Sequence, residues 1–299
     1  MRERFRKFVA GLSGKSGDKA TTAPLSEKQI DSIVRQQENT NAMQQLIAAT
    51  GQSVGKQREH NEDSVLAITS TLAGMSNNVP FGLYVVADGM GGHDFGEVAS
   101  NAAVRIIAGH VLRKFQPYLF SMPPEQPQDS LQEIMEAAIR VAHEAVQKDA
   151  PGSGTTVTAA LVLGDQVTIG HVGDSRAYSV HPSGLVEQLT KDHSLVRRLE
   201  ELGHLNKEEA ANYPHRNVLI RAVGQGDTIE ADIFTIPFPH GSTLMLCTDG
   251  LWGVVPEDVI LRSLVDASSL ARACNNLVAA ANAAGGPDNI SVVLVQMIG

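Results

Sequence analysis

The chain has 299 residues, 42% hydrophobic and 19% charged, a globular composition long enough to bury a core without disulfide or metal staples. A formal net charge of −9 argues against a general nucleic-acid binder, and no run reaches the roughly 18 uninterrupted apolar residues of a transmembrane span. Two cysteines in no paired-ligand spacing, Cys247 and Cys274, and an N-terminus without an apolar signal core predict a soluble, cytoplasmic protein in a reducing compartment.

In chain order, residues 1–25 set Arg2, Arg4, Arg6, Lys7, Lys15 and Lys19 against only Glu3 and Asp18. Gly, Ser, Thr and Pro dominate from Gly11 to Pro24, so this stretch reads as a flexible basic tail. Ile30, Ile33, Val34, Met43, Leu46 and Ile47 then follow a helical pattern, and Ser26 with Gln29 has capping-box spacing. A helical extension is therefore predicted over 26–50, with the main domain at 51–299. Strand-like apolar runs occupy Val65–Thr69, Phe81–Ala87, Thr155–Leu163, Val167–Val172, Ala177–Val180, Thr243–Cys247 and Ile290–Met297.

Helical patterns separate these strands. One spans Glu97 to Phe115, and Pro117 is expected to help end it. Another starts at the capping box Ser130-Leu131-Gln132-Glu133 and presents Ile134, Met135, Ala138, Ala142 and Val146 on one face. Pro256 opens a third with acids in its first turn, and Ser268 to Ala284 forms a fourth, closed by Gly285-Gly286. Short loops such as Gly164-Asp165 and Pro182-Ser183-Gly184 favour antiparallel sheets over βαβ units.

Four aspartates stand at ends of apolar runs: Asp88 after Leu83–Ala87, Asp174 after Val167–Gly173, Asp249 after Thr243–Thr248, and Asp288 just before Ile290–Val295. Any single Asp-Gly reads as a turn. Together they suggest carboxylates converging on divalent cations. Gly89 would let the backbone turn so that its carbonyl joins Asp88 on a metal. Glu62 and Asp63 add two adjacent acids, with Arg58 four residues before the first.

This ordered set resembles the metal-dependent Ser/Thr protein phosphatases of type 2C, in their bacterial form. The matching pieces are Arg58…Asn61-Glu62-Asp63-Ser64, Asp88-Gly89-Met90-Gly91-Gly92-His93, Ser153-Gly154-Thr155-Thr156, Gly173-Asp174-Ser175-Arg176, Thr190-Lys191-Asp192-His193-Ser194, Asp249-Gly250 and Gly286-Pro287-Asp288-Asn289. Each is weak alone; all in one order are specific. They spread over 51–299, and the first 50 residues lie outside the resemblance.

The resemblance implies an α+β fold, an antiparallel β-sandwich of two sheets flanked by α-helices. It implies two Mn²⁺ or Mg²⁺ ions, with Asp88 bridging them, the Gly89 carbonyl completing the first, and Asp249 and Asp288 holding the second. Asp174 matches the position of a third, weaker ion. Glu62 and Asp63 would act through metal-bound waters, and Arg58 would grip the substrate phosphate. The implied reaction is hydrolysis of phosphoserine and phosphothreonine on proteins by in-line attack of a metal-bridged hydroxide. The implied partners are phosphorylated proteins and their Ser/Thr kinases.

Met90 stands where eukaryotic relatives place a candidate acid His, so His93 reads as a packed or turn histidine. Ser153-Gly154-Thr155-Thr156 lacks a Lys and reads as structural. Residues 190–225 are expected to form a flap. It would hold a short helix from Ser194 to Gly203 and an irregular stretch from His204 to Arg216. Its Arg197, Arg198 and His215 would read charges near the phosphorylated residue. Alternative readings are a same-fold phosphatase dedicated to one regulatory protein and a non-catalytic phosphoprotein-binding relic.

Overall fold

The computed structural model describes residues 44–73, 78–91, 95–121, 128–211 and 213–299. The chain divides into two units, Met1–Ala42 and Met43–Gly299. The tail expected over 1–25, the extension expected from 26 up to residue 43, and His93 lie outside the described residues. The end of that extension is corrected. Gln45–Ser53 is a strand, β1, paired antiparallel with Ile290–Ile298 along its length. Leu46 is buried while Ile47 is exposed, the alternation of a strand. A free sheet edge overrides the helical spacing of the apolar residues.

The remaining described strands are β2 (Asp63–Ala73), β3 (Asn78–Met90), β4 (Gly154–Thr155), β5 (Val157–Leu163), β6 (Gln166–Val172), β7 (Arg176–Val180), β8 (Val186–Gln188), β9 (Asp232–Pro237), β10 (Thr243–Cys247) and β11 (Ile290–Ile298). One sheet runs β1-β11-β10-β7-β8; the other runs β2-β3-β5-β6-β9, with β4 added to β3. The pairings are antiparallel. The helices are α1 (Phe95–Phe120), α2 (Leu131–Asp149), α3 (Leu195–Glu201), α4 (Lys207–Ala211), α5 (Asp249–Trp252), α6 (Glu257–Val265) and α7 (Leu270–Ala283).

Three apolar layers hold these parts together, and β3 and β11 show why. In β3, Phe81, Leu83 and Val85 pack under α1 and α2, while Tyr84 and Val86 face the other sheet. In β11, Ile290, Val292 and Leu294 pack under α6 and α7, while Val293 and Val295 face inward between the sheets. A strand covered on both faces is an unbroken apolar run, which is how both read in sequence. The result is the expected helix–sheet–sheet–helix stack.

Pro117 does not end α1, which runs on to Phe120. So close to the C-terminus its ring removes a single helical bond, and buried Leu119 keeps the last turn packed. The capping box at Ser130 forms as expected, with Glu133 N–H donating to Ser130 Oγ and Ser130 N–H to Glu133 Oε2.

Between β8 and β9 the chain leaves the sheets. This excursion is pinched at its root, where Ser194 bridges Leu219, and the returning chain is tied to β4 where Val223 bridges Thr155. Leu195 N–H donates to Val218 O at 2.8 Å and Ile220 N–H to His193 O at 2.9 Å. The stretch from His204 to Arg216 is not wholly irregular, because α4 forms within it. Asn206 and Glu209 cap that turn reciprocally, at 2.9 and 2.8 Å.

Candidate active site

The acids meet at one end of the sandwich. Asp63 opens β2 directly opposite Asp88 in β3. Asp174 follows β6, Asp249 is the first residue of α5 after β10, and Asp288 precedes β11. Both sheets thus deliver carboxylates to the same edge. Arg58, Asp174, Asp249 and Asp288 line a single cavity of about 760 Å³.

Backbone ties fix these positions. Asp88 N–H donates to Thr156 Oγ1, and Thr155 Oγ1 and Thr156 N–H both donate to Asp88 O, each at 2.9 Å. Thr156 Oγ1 also contacts Ser175 Oγ at 2.7 Å, beside Asp174. The Ser153–Thr156 motif therefore serves as scaffold, as expected. Thr248 Oγ1 donates to Asp63 Oδ2 at 2.9 Å and accepts from Ser291 N–H at 3.0 Å. Asn289 holds the connection between β1 and β2 at three points. Its Nδ2 donates to Val54 O and His60 O at 2.8 and 2.9 Å, and its Oδ1 accepts Glu62 N–H at 2.8 Å.

Gly89 differs from its sequence reading. It stays within β3 and makes no sharp turn. Its side of the strand is pressed by the backbone of Gly96 and Glu62, and a Cβ would collide with both. Gly89 N–H donates to Glu62 O at 3.1 Å. The close approach brings the start of α1 against the acid cluster.

The electrostatics are those of a site short of positive charge. Burial, then the neighbouring carboxylates, push Asp63 up to about 7, after the opposing help of hydrogen bonds from Ser291 and Thr248. Burial and then Asp249 push Asp174 up to about 8. Burial and then Asp288 push Asp249 up to about 6, and Asp88 lies well above the usual range for the same reasons. Glu62 is raised by burial. Beyond burial, Asp63, Asp249, Asp174 and Asp288 each raise Asp88 through their charge, and carboxylates crowded in this way are relieved by a proton or a cation among them. Among the described residues, the buried oxygens Asp63 Oδ1 and Asp249 Oδ1 have no hydrogen-bond partner, an expensive state that a cation or water relieves.

An all-oxygen, anionic donor set suits Mg²⁺ or Mn²⁺ and not a thiophilic metal. Among the described residues, no three acid side chains sit together as one ion's complete ligand set. A shared acidic floor of this kind fits ions that keep several of their waters.

Arg58 lies at the rim, its side chain 48% exposed, with Nη2 donating to Asp288 Oδ2 at 2.8 Å. Burial opposes its charge, and Asp288, Glu62 and Asp88 outweigh that. Of Arg197, Arg198 and His215, the three flap residues named from the sequence, only Arg197 lines the main cavity, paired with Glu200 at 3.3 Å. Arg198 faces a smaller neighbouring cavity of about 370 Å³. His215 packs edge-on to Tyr213 and lines neither; Arg216 and Asn217 line the main cavity instead.

The sequence reading quotes Asn289 within a motif without giving it a role, and gives none to Thr248 or Trp252. The indole of Trp252 borders the cavity, and its Nε1–H donates to Asp174 O at 3.0 Å. Asn289 and Trp252 stand close to the motif acids Asp288 and Asp249; Thr248 carries no signal beyond preceding Asp249.

The sequence model described as protein phosphatase 2C matches residues 34–294. A Listeria monocytogenes protein named serine/threonine phosphatase stp is 37% identical over 244 residues, 81% of this chain and 92% of that protein. The solved serine/threonine phosphatase of S. agalactiae superposes with a TM-score of 0.71 at 30% identity, over 84% of this chain and 99% of its own. The catalytic domain of the protein phosphatase PstP, solved with two manganese ions, gives 0.68 at 30% identity, over 86% of this chain and 100% of its own.

Proposed function

The chain belongs to the protein phosphatase 2C family, and from that premise we propose that it hydrolyses phosphoserine and phosphothreonine on proteins, using the acidic end of the sandwich as a Mn²⁺ or Mg²⁺ site. The observation that carries this reading is the convergence of Asp63, Asp88, Asp174, Asp249 and Asp288, with two buried carboxylate oxygens unpartnered among the described residues.

Asp88, Asp249 and Asp288, with the Gly89 carbonyl, would hold two ions; Glu62 and Asp63 would orient their waters, and Asp174 would hold a third ion. Such ions supply an acidified water and positive charge for the phosphoryl oxygens. Arg58 binds the phosphate from the rim, where its planar fork can offer two parallel N–H groups. In the free protein Asp288 occupies one of those N–H groups, keeping the guanidinium beside the acids. Arg197 lies along the same cavity, placed to meet the substrate chain.

A cysteine nucleophile has no support. Cys247 is fully buried, and burial pushes its thiol up to about 12, where it is not a thiolate. Two free, buried thiols fit a cytoplasmic setting, and no described helix is long and apolar enough to cross a membrane. Phosphorylated proteins, and through them the Ser/Thr kinases that make them, are the partners of this reading.

The test is the initial rate on a phosphothreonine peptide with Mn²⁺, with EDTA, and with Asp249→Asn. Turnover that needs Mn²⁺ and is lost in the variant supports the reading. Equal rates with Mn²⁺ and with EDTA would sink it.

A further inference from the structure

Ser100 is fully buried on the sheet-facing side of α1, a position where an apolar side chain is the usual occupant. Its one hydroxyl proton has two carbonyls in reach, Glu62 O at 2.6 Å and, within its own helix, Glu97 O at 3.2 Å. The shorter bond takes it, since a serine gains little by bonding back along its own helix. Ser100 Oγ is then left to accept, and Ser64 Oγ in β2 lies 2.9 Å away to donate. The run Ser64–Ser100–Glu62 satisfies the buried hydroxyl in both directions and ties β2 to α1.

The backbone of Glu62 has further holds. Glu62 O also accepts Gly89 N–H at 3.1 Å, and Glu62 N–H donates to Asn289 Oδ1 at 2.8 Å. Its peptide groups are thus fixed from α1, from β3 and from Asn289 beside β11. The carboxylate of Glu62 is seated by α1 as well. Gly96 lies one turn before Ser100 on the same face, and a Cβ there would collide with Glu62 Oε1 and Cδ. Two successive turns of one helix therefore receive both ends of Glu62, the carbonyl on Ser100 and the carboxylate on Gly96.

We infer that Ser100 is a positioning residue that fixes Glu62 over the acid cluster, so that Mn²⁺ binding is tightened from α1 by a hydroxyl too deeply buried to touch ion or substrate. This rests on the proposed metal site and on Glu62 holding metal-bound water. Without the hydroxyl, Glu62 O keeps only the longer bond from Gly89 N–H, and the carboxylate loses its fixed direction.

The experiment measures the Mn²⁺ dissociation constant of the full chain by isothermal titration calorimetry. It compares wild type, Ser100→Ala, Glu62→Gln, the double variant and Ser64→Ala, with thermal transitions in EDTA reporting folding separately. Ser100→Ala and Glu62→Gln are each expected to weaken Mn²⁺ binding about tenfold. The double variant is expected to bind within about twofold of Glu62→Gln, because a lock on Glu62 has nothing to direct once its carboxylate is gone. Ser64→Ala leaves the Ser100–Glu62 bond in place and is expected to match wild type within about twofold. Unchanged affinity in Ser100→Ala overturns the inference. So does a loss of about a hundredfold in the double variant, the additive result of a serine that acts elsewhere. A loss in Ser64→Ala equal to that in Ser100→Ala also overturns it, for the effect would then be a general loosening of β2 against α1. Wild type that binds no Mn²⁺ overturns the metal site itself and this inference with it, a failure visible before any variant is made.

Discussion

Asp249→Asn should make the metal-free protein more stable while removing its activity. Burial and Asp288 raise Asp249 from 3.8 to about 6. The folded state then binds a proton that the unfolded chain has released between those values. Stability therefore falls as pH rises from about 4 to about 6, and the penalty stays in full above that. A shift of about two units corresponds to about 3 kcal/mol, an upper bound because the acids relax together. Asparagine carries no such penalty. With EDTA present, the variant should melt roughly 6 to 12 °C above wild type near pH 8, at about 2 to 4 °C per kcal/mol. Near pH 4, where Asp249 is neutral in the folded state and only about half ionised in the unfolded one, the gap should shrink below about 1 kcal/mol. Saturating Mn²⁺ should reverse the order, since an ion at a thousand times its dissociation constant adds about 4.1 kcal/mol to the form that binds it, more than the variant's advantage of about 3 kcal/mol. Thermal unfolding followed by circular dichroism, at the two pH values and with and without Mn²⁺, reads all of this. An EDTA-treated variant that melts below wild type near pH 8 would refute the reasoning, for the acids would then not be repelling one another.

Asp88→Asn should lower kcat by about 10³ or more, and Asp174→Ala by about 10², in steady-state assays on a phosphopeptide with Mn²⁺; equal losses would mean that Asp174 belongs to the core pair of ions. Arg58→Ala should cost about 1.5 to 3 kcal/mol in kcat/KM, the worth of a charge-assisted bond to phosphate, and Arg58→Lys should recover little of it. Cys247→Ala should leave metal-dependent turnover within a few-fold of wild type while lowering the thermal midpoint, because that side chain only packs. Ile139→Ala, in the layer between α2 and its sheet, should cost about 2 to 5 kcal/mol of stability in urea unfolding with kcat unchanged.

Legibility followed the range over which the deciding forces act. β3 and β11 were plain because two covered faces leave an unbroken apolar run, and α2 was plain because Ser130 and Glu133 satisfy each other within four residues. The acids were legible because each stands where a buried run meets solvent. β1 was misread because Met43, Leu46 and Ile47 carry helical spacing, and only pairing with β11, far along the chain, makes them a strand. β9 escaped notice because its residues are only half buried and alternate weakly. Gly89 was assigned to a turn when its real constraint is the backbone of Gly96 against it. The Ser100–Glu62 bond and the Asn289 ties join residues distant in sequence, and nothing local announces such a pairing.

The pinched root of the flap has a consequence for how such proteins diversify. The segments that enter and leave it are joined by the Ser194–Leu219 bridge, and the returning segment is tied to β4 by Thr155–Val223, so the ends of the excursion are already together before its interior is chosen. Changing the length of the segment between them alters loop entropy only slowly, by about 0.6 kcal/mol for each doubling. Residues 195–218 therefore form an interchangeable cassette. The corresponding segment of a relative could be transplanted at these junctions onto an unaltered sandwich, while Thr155, which anchors one bridge and also holds Asp88 O, keeps the graft in register with the acids.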